Sequence, residues 1–394
     1  MTTPRRGFRP RLGGALRRAL PPGTDSVLVG AVVAISLLGL LMVWSATRSR
    51  PGLAPPSAFL VRQVIWVMLG LATMVAVLRV GLDRLRRLAP LAYAAALAAL
   101  AAVITPLGSS TNGAQAWFDL GPLRLQPAEL AKPALILALA AHGHRAGSRL
   151  GGGRLQGALL LAALPVGLVL LQPDLGTAMV LVVITAGIVT VAGAPARPLA
   201  LLALAGGIGI VVVLRLGLLA PYQVDRLTGF LHQSSDPRGV TWNLEQAKIA
   251  IGSGGLVGEG LFEGSQTSLS YVPEQHTDFV FTVVGEELGL LGAVSLLGLF
   301  ALVAWRTWRA AWLAPDLFRA LCCVGVLSML MFQVFENMGM TMGITPITGI
   351  PLPFVSYGGS ATLASFAGVG LVANATRRRN PAGALGERPP RPLD

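Results

Sequence analysis

The feature that most constrains the fold is a series of apolar runs, each close to the roughly 20 residues that an α-helix needs to cross a bilayer. Short segments rich in Arg, Gly and Pro separate these runs. Because a helix satisfies its own backbone hydrogen bonds in lipid, the pattern predicts an all-α, polytopic membrane protein of about ten transmembrane helices. The runs lie near 27–46, 58–78, 88–106, 128–142, 155–171, 174–192, 198–217, 279–304, 317–343 and 355–375.

The charged residues also fit a membrane protein. Only 12% of the 394 residues are charged, whereas soluble domains average about 25%. The net charge of +13 comes from arginines between the apolar runs, which is the positive-inside pattern. We therefore expect anionic membrane lipids, and no nucleic acid, as partners of the basic segments.

The charge distribution also predicts the domain organisation. Both termini are expected in the cytoplasm, with residues 1–24 as a disordered basic tail and residues 377–394 as a second disordered tail. Residues 25–376 then form the membrane domain, in which 218–277 is a large extracytoplasmic loop between helices 7 and 8. Adjacent cysteines at positions 322 and 323, inside one apolar run, predict neither a disulfide framework nor a metal site.

The large loop contains a predicted helix followed by closely spaced glycines. The segment that starts at Trp242 and runs to Ile251 suits an interfacial helix. The glycines from Gly252 to Gly264 would let backbone amides approach an anion, with Arg226 and Lys248 near in sequence. Plain turns are the alternative interpretation of these glycines.

Asp278 is the strongest candidate for chemistry. It lies where a polar, glycine-rich loop changes into a long apolar helix, and ionisable groups at such a boundary are costly and usually functional. The alternative is that Thr277 or Asp278 is the N-cap of that helix. The two roles are compatible.

Two other sets of polar residues stand at the outer ends of predicted helices. Glu129 and Lys132 are three residues apart, so on a helix they share a face and can form an ion pair, beside Pro133, which can kink the helix. Asp174 follows a proline at a helix start, where it predicts an N-cap and, less strongly, a direct catalytic role.

The last outer loop, near residues 337–360, is rich in Pro and Gly and includes Ser356. Non-helical backbone at membrane depth is tolerated only where protein or a water-filled cavity surrounds it. The sequence therefore predicts a cavity lined by this loop.

Five motifs in these segments make the chain resemble the SEDS family, the RodA and FtsW group of peptidoglycan glycosyltransferases. The resemblance covers nearly the whole membrane region. It departs from the family at Ala116-Trp117 and at Ala128, where Arg-Trp and Ser are common. Asp236-Pro-Arg-Gly, Trp242-Asn and Gly264-Ser-Gln resemble the elongation branch more than the division branch. The motifs are Gly349-Ile-Pro-Leu-Pro-Phe-Val-Ser-Tyr-Gly-Gly-Ser, Pro273-Glu-Gln-His-Thr-Asp-Phe-Val-Phe followed by Glu286-Glu287, Ala250-Ile-Gly-Ser-Gly-Gly, Gln172-Pro-Asp-Leu-Gly-Thr and Gln126-Pro-Ala-Glu-Leu-Ala-Lys.

The resemblance implies a bacterial cytoplasmic-membrane enzyme that polymerises lipid II by β-1,4 bonds and releases undecaprenyl pyrophosphate. It also implies that Asp278 is the essential acidic residue, whose carboxylate would act as the general base. Inversion at the sugar carbon would need one base, because pyrophosphate leaves without protonation. Lys132 would offset charge on the leaving diphosphate while Glu129 orients it, and a structural ion pair is the alternative. The weaker candidates for binding the substrate or its diphosphate are Arg226, Lys248, Asp174 and Ser356.

The resemblance also implies partners and leaves alternatives open. A class B penicillin-binding protein would contribute transpeptidation. No cofactor is certain; a divalent cation, Mg²⁺ or Mn²⁺, could stabilise the diphosphate, although no carboxylate cluster with metal-ligand spacing occurs. The alternative functions are a lipid II flippase, since transporters also use intramembrane charges and broken helices, and a non-catalytic scaffold for the penicillin-binding protein.

Overall fold

The computed structural model describes residues 23–48, 56–111, 114–121, 123–147, 150–201, 240–269 and 271–377, with a few isolated positions. Most of both predicted tails, the seventh apolar run beyond residue 201 and Arg226 lie outside these residues. The helices are α1 Ser26–Arg48, α2 Pro56–Val80, α3 Leu82–Ile104, α4 Pro127–Ala146, α5 Gly153–Leu170, α6 Leu175–Val191, α7 Val240–Ser253, α8 Ser265–Ser268, α9 Val280–Trp312, α10 Leu317–Thr341 and α11 Gly359–Ala375.

The helices coincide with the apolar runs. Among the described residues, 6 helices are long and apolar enough to cross a membrane, namely α1, α2, α3, α5, α9 and α10. α6 and α11 are shorter apolar helices, and α4 covers the fourth run. The polytopic membrane architecture is therefore confirmed, whereas the count of ten helices and the topology of the large loop stay predictions.

The all-α prediction needs one correction, because the loop between α3 and α4 folds as a three-stranded antiparallel sheet of β1 Ser109–Thr111, β2 Ala114–Leu120 and β3 Leu123–Leu125, in that order. Asp119 pairs in register with Arg124, and their side chains form an exposed ion pair of 3.0 Å. Gly121 has a φ of 70° in the turn between these strands, a conformation that glycine adopts without strain. A short hairpin of this kind leaves little trace in hydropathy.

α10 is the central helix of the bundle, and it packs against α4, α6, α9 and α11. Both cysteines lie on it and are fully buried with free thiols. Gly325 allows the close approach of its neighbours, since a Cβ at this position would lie 2.8 Å from Ile188 and 2.9 Å from Ile136. These contacts join α10 to α6 and α4.

A short segment from the large loop is inserted into the hydrogen-bond ladder of α9. The Glu286 and Glu287 carbonyls, which would accept from Leu290 and Leu291 in a regular helix, accept from the amides of residues 259 and 260, at 2.9 and 3.2 Å. The Leu290 and Leu291 amides instead donate to the carbonyls of residues 255 and 256, at 3.0 and 3.1 Å. Gly289, with a φ of 62°, is the non-helical residue at this break. We call residues 252–260 the glycine segment.

The helix predicted to begin at Trp242 is confirmed as α7. It does not simply rest on a lipid surface, because Leu244, Ala247 and Ala250 are buried at a spacing of three and the helix packs against α9. The glycine segment begins in the last turn of α7, so α7 and this segment together attach the large loop to α9.

We predict that Gly254→Ala destabilises the fold and that Gly252→Ala does not. A Cβ on Gly254 would lie 2.0 Å from the Gly285 carbonyl, whereas one on Gly252 meets nothing within 4 Å. Overpacking of this kind costs about 1–3 kcal/mol, while Gly→Ala in a helix is neutral or favourable. Thermal denaturation of the two purified variants in detergent measures the difference, and equal melting temperatures would show that the glycine segment is not tightly packed.

Candidate functional site

Asp278 lies in a compact turn immediately before α9, and its side chain is half-buried. Three successive amides, from residue 277 to residue 279, donate to the Glu274 carbonyl, and Glu274 itself has a φ of 52°. The N-cap of α9 is Phe279, without a side-chain capping hydrogen bond. The interpretation of Thr277 or Asp278 as the N-cap is therefore wrong, because the turn delays the start of the helix.

The turn rests on the proline-rich loop, residues 343–358, which is non-helical as predicted. Close backbone contacts hold this loop against other helices. A Cβ on Gly39 of α1 would lie 2.6 Å from the Phe354 carbonyl, and one on Gly176 of α6 would lie 2.9 Å from the Thr348 carbonyl. Phe354 has a φ of 66°, a strained conformation that persists only where surrounding contacts impose it.

Asn337 of α10 joins the Asp278 turn to the proline-rich loop. Its side chain is fully buried, and its Nδ2 donates to the carbonyls of Asp278 and Ile350, both at 2.8 Å. One amide group thus fixes the backbone on both sides of the contact. Because Asn337 lies on the central helix, it fixes the backbone of Asp278 relative to the helix bundle.

Ser356 has a similar bridging position. Its Oγ accepts from the Leu352 amide at 2.8 Å and donates to the Thr277 carbonyl at 2.6 Å, and the next amide, of Tyr357, donates to the His276 carbonyl at 2.8 Å. The side chain is buried. Its hydroxyl is therefore engaged within the protein, which differs from the substrate contact that the sequence suggested.

Glu129 and Lys132 form the predicted ion pair in the first turns of α4. Lys132 Nζ lies 2.6 Å from Glu129 Oε1, and the side chains are 1% and 4% exposed. The other oxygen, Glu129 Oε2, is buried without a hydrogen-bond partner among the described residues. The helix continues beyond Pro133 to Ala146. A buried pair with an unsatisfied acceptor is costly unless a further group reaches it.

Asp174 is the N-cap of α6, as predicted. Its Oδ1 accepts from the Thr177 amide at 2.9 Å, and its Oδ2 accepts from Gln126 Nε2 at 3.1 Å. The Gln126 amide donates to Ser360 Oγ at 2.8 Å. Gln126 immediately precedes α4, and Ser360 is in the first turn of α11. Hydrogen bonds thus join the N-termini of α4, α6 and α11, and Glu129 and Lys132 lie in the first turns of α4 at this end of the bundle.

The predicted anion site in the large loop is not formed as expected. Lys248 is half-buried on α7, and Arg226 is outside the described residues. The amides of residues 258, 259 and 260 already donate to carbonyls of Gly254, Glu286 and Glu287. These glycines therefore serve close packing on α9, and their amides are not available to hold a diphosphate.

Sequence reasoning treated Glu286 and Glu287 only as part of a motif, but both are buried and bind separate segments. Glu286 accepts from the Gln266 amide at 2.6 Å and from Thr267 Oγ1 at 2.6 Å. Glu287 accepts from Ser45 Oγ of α1 and is hydrogen-bonded to the Phe262 backbone. The sequence signal that could have revealed these contacts is the pair of consecutive acidic residues in an apolar helix. Such residues are costly in lipid unless they have partners within the protein.

An apolar cavity of about 610 Å³ lies between α7, α9 and α10 and reaches the start of the proline-rich loop at Ile344. Its lining includes Phe281, Met338 and Phe335, so it suits hydrocarbon rather than sugar, and the last outer loop, which was predicted to line a cavity, contributes Ile344 to this one. Within the described ranges, no group of three or more His, Cys, Asp or Glu side chains is arranged to hold a metal ion. The described residues therefore supply no preformed set of protein ligands for a divalent cation.

Comparison with known proteins places these features in a family. Residues 25–381 match the FtsW, RodA and SpoVE family of cell cycle proteins. The probable peptidoglycan glycosyltransferase FtsW of Trichlorobacter lovleyi is 35% identical over 356 residues, covering 89% of this chain and 92% of that protein. The peptidoglycan glycosyltransferase MrdB of Escherichia coli K12 is 35% identical over 354 residues, covering 88% and 92%.

A solved structure shares the fold. It is described as the structural coordination of polymerization and crosslinking by a peptidoglycan synthase complex, and one chain of it superposes with a TM-score of 0.75 at 35% identity, covering 90% of this chain and 98% of that chain. The family match over residues 25–381 extends from α1 to α11. The chain therefore belongs to the FtsW, RodA and SpoVE family.

Proposed function

We propose that this protein is a peptidoglycan glycosyltransferase that polymerises lipid II at the outer face of the bacterial cytoplasmic membrane, and that Asp278 is its general base. The observation that carries the proposal is the position of Asp278, half-buried in a turn that Asn337 and Ser356 fix to the proline-rich loop. The relatives named as peptidoglycan glycosyltransferases support the same activity. A base must be held within hydrogen-bond reach of the proton it removes.

In this mechanism Asp278 removes the proton from the 4-hydroxyl of the acceptor sugar as that oxygen attacks the anomeric carbon of the donor. The new C–O bond forms in line with the breaking bond to the diphosphate, so the α-linked donor becomes a β-1,4 linkage. The bonding electrons leave with undecaprenyl pyrophosphate, which needs no proton at this step. The fixed turn keeps the carboxylate aligned for attack, since small errors in position are costly in rate.

The ion pair of Glu129 and Lys132 supplies the charge for the leaving group in this proposal. A buried ammonium is worth most where it meets negative charge that develops in the transition state. Glu129 holds Lys132 at 2.6 Å and thereby orients it. Arg226 and Lys248 are further candidates for the diphosphate, whereas Asp174 and Ser356, with their oxygens engaged, position α6 and the Asp278 turn.

The proposed partner is a class B penicillin-binding protein that crosslinks the glycan strand. The solved complex with polymerization and crosslinking in its description supports this pairing. The relatives named FtsW and MrdB are equally similar to this chain, at 35% identity. We propose the elongation role on the Asp236 and Gly264 segments, and a division role is the alternative.

We predict that Asp278→Asn abolishes polymerisation of lipid II by the purified protein together with its crosslinking partner. Loss of a general base lowers the rate by about 10²–10⁴-fold. Asp119→Asn, the same change at an exposed carboxylate of the outer sheet, is the matched control and should retain activity. Glycan length on gels is the measurement. Lipid transfer across the membrane without polymer in the wild type would favour a flippase, and normal cell-wall synthesis in the Asp278 variant would favour a scaffold.

Asn337→Ala should lower the polymerisation rate because it removes both hydrogen bonds that join the Asp278 turn to the proline-rich loop. The control is Asn374→Ala, which removes one comparable buried bond to the Val77 carbonyl at 2.8 Å near the end of α11. Each lost bond costs about 1–3 kcal/mol in a buried site. We expect a larger loss of stability at residue 337, where two bonds are removed instead of one, and a loss of activity only there; equal activity in both variants would argue against a positioning role.

The charge of Lys132 can be separated from its role in folding with a paired change. Lys132→Met alone leaves Glu129 buried and uncompensated, and we expect a loss of about 3–5 kcal/mol of stability. The double variant Glu129→Gln with Lys132→Met removes both charges and should recover the melting temperature while polymerisation stays low. If the double variant regains activity as well, the pair is structural and Lys132 does not act on the diphosphate.

A further inference from the structure

We propose that Glu286 is a positioning residue for Asp278, acting through Thr267 and Gln275. This inference rests on the proposed function, in which Asp278 is the general base. It concerns a second attachment of the Asp278 turn, in addition to the one made by the proline-rich loop. This second attachment is a relay of buried hydrogen bonds to α9.

The relay begins at the Glu286 carboxylate, which is 0% exposed. Its Oε1 accepts from the Gln266 amide at 2.6 Å. Its Oε2 accepts from the Thr267 amide at 3.1 Å and from Thr267 Oγ1 at 2.6 Å. The carboxylate also lies where a Cβ on Gly264 would be 2.8 Å from its Cδ, so glycine at this position permits the approach. These bonds compensate the burial of a polar group that would otherwise be costly.

The relay continues to the catalytic turn through one side chain. Gln275 is buried at 0% exposure, and its Nε2 donates to Thr267 Oγ1 at 3.4 Å. Gln275 is three residues before Asp278 and directly precedes His276, whose carbonyl accepts from the proline-rich loop. The turn therefore has two separate attachments, one to the proline-rich loop and one to Thr267.

The direction of these bonds requires an acceptor at position 286. A threonine hydroxyl has one proton; here it is donated to Glu286, which leaves the lone pairs of Oγ1 to accept from Gln275. A glutamine at position 286 has one oxygen and one NH₂ group, so the NH₂ group would face a donor, either the Gln266 amide or Thr267, and the hydrogen bond on that side would be lost. The shape of the side chain would be nearly unchanged, so this substitution tests the hydrogen-bond direction rather than packing.

Glu287 shows that the relay is specific to one carboxylate. Although it is adjacent in sequence, its side chain binds Ser45 of α1 and the Phe262 backbone, and these groups are not connected to Gln275 by any hydrogen bond among the described residues. Consecutive acids thus attach two different segments to the break in α9. Only Glu286 is linked to the turn that carries Asp278.

The test compares Glu286→Gln with Glu259→Gln in the full-length protein with its crosslinking partner. Glu259 is the matched control, because its half-buried side chain accepts from the Ser265 amide at 2.9 Å, next in sequence to the Gln266 amide that binds Glu286. We expect Glu286→Gln to lower kcat about 10- to 100-fold with little change in KM for lipid II, the pattern of a misplaced catalytic group. The control should keep wild-type values. Thr267→Val, which removes the hydroxyl that joins Glu286 to Gln275, should show a comparable loss of kcat with the same unchanged KM.

Hydrogen exchange supplies a readout that does not depend on activity. Amides in residues 271–279 should exchange faster in Glu286→Gln than in Glu259→Gln. We expect this difference whether or not the two variants have the same melting temperature. In an Asp278→Glu background, which displaces the carboxylate already, Glu286→Gln should cost less than in the wild type, because residues that act as a unit are non-additive.

Two results would overturn the inference: a wild-type kcat in Glu286→Gln, or additive losses with unchanged exchange at 271–279. Failure of the proposed function gives a different pattern, since Asp278→Asn would then polymerise lipid II normally. An inactive Asp278→Asn with a fully active Glu286→Gln would remove only the positioning role.

Discussion

The structure depends on one constraint, that backbone polar groups outside helices have no water to bind at membrane depth and must find partners in the protein. The proline-rich loop and the Asp278 turn both consist of such backbone. Buried side chains with fixed geometry, Asn337 and Ser356, supply the missing hydrogen bonds. Each of them serves both segments at once. The residues that make irregular backbone tolerable here are thus the same residues that place the candidate base.

The second device is the exchange of hydrogen bonds between α9 and the glycine segment. Two helical bonds are replaced by four bonds to another part of the chain, so the four backbone groups that those helical bonds would have joined all have partners. Gly254 and Gly258 permit this contact because any side chain there would clash with carbonyls of α9. The same turns of α9 carry the two buried carboxylates, which attach residues 262–267 and α1 to the break.

Features that depend on local sequence could be predicted, and features that depend on distant contacts could not. Apolar runs predicted the helices, the three-residue spacing of Glu129 and Lys132 predicted their ion pair, and the sequence at Asp174 predicted an N-cap, because each property is set within a single helical turn or span. The small sheet was missed since its strands are too short to show in hydropathy. Ser356 binds Thr277, 79 residues away, and Glu286 binds Thr267, 19 residues away, while Gly254 packs against Gly285 of α9; no local pattern encodes these contacts.

Gly289 divides α9 into two parts that need not share one direction. The part from Leu290 to Trp312 is 23 residues long, roughly 34 Å at 1.5 Å per residue, which is enough to span a bilayer without the residues above the break. Transmembrane helices adjust their tilt to the thickness of the surrounding bilayer. Since the hydrogen-bond ladder is interrupted at this glycine, we expect such tilting to be absorbed there, with little effect of lipid composition on the turn that carries Asp278.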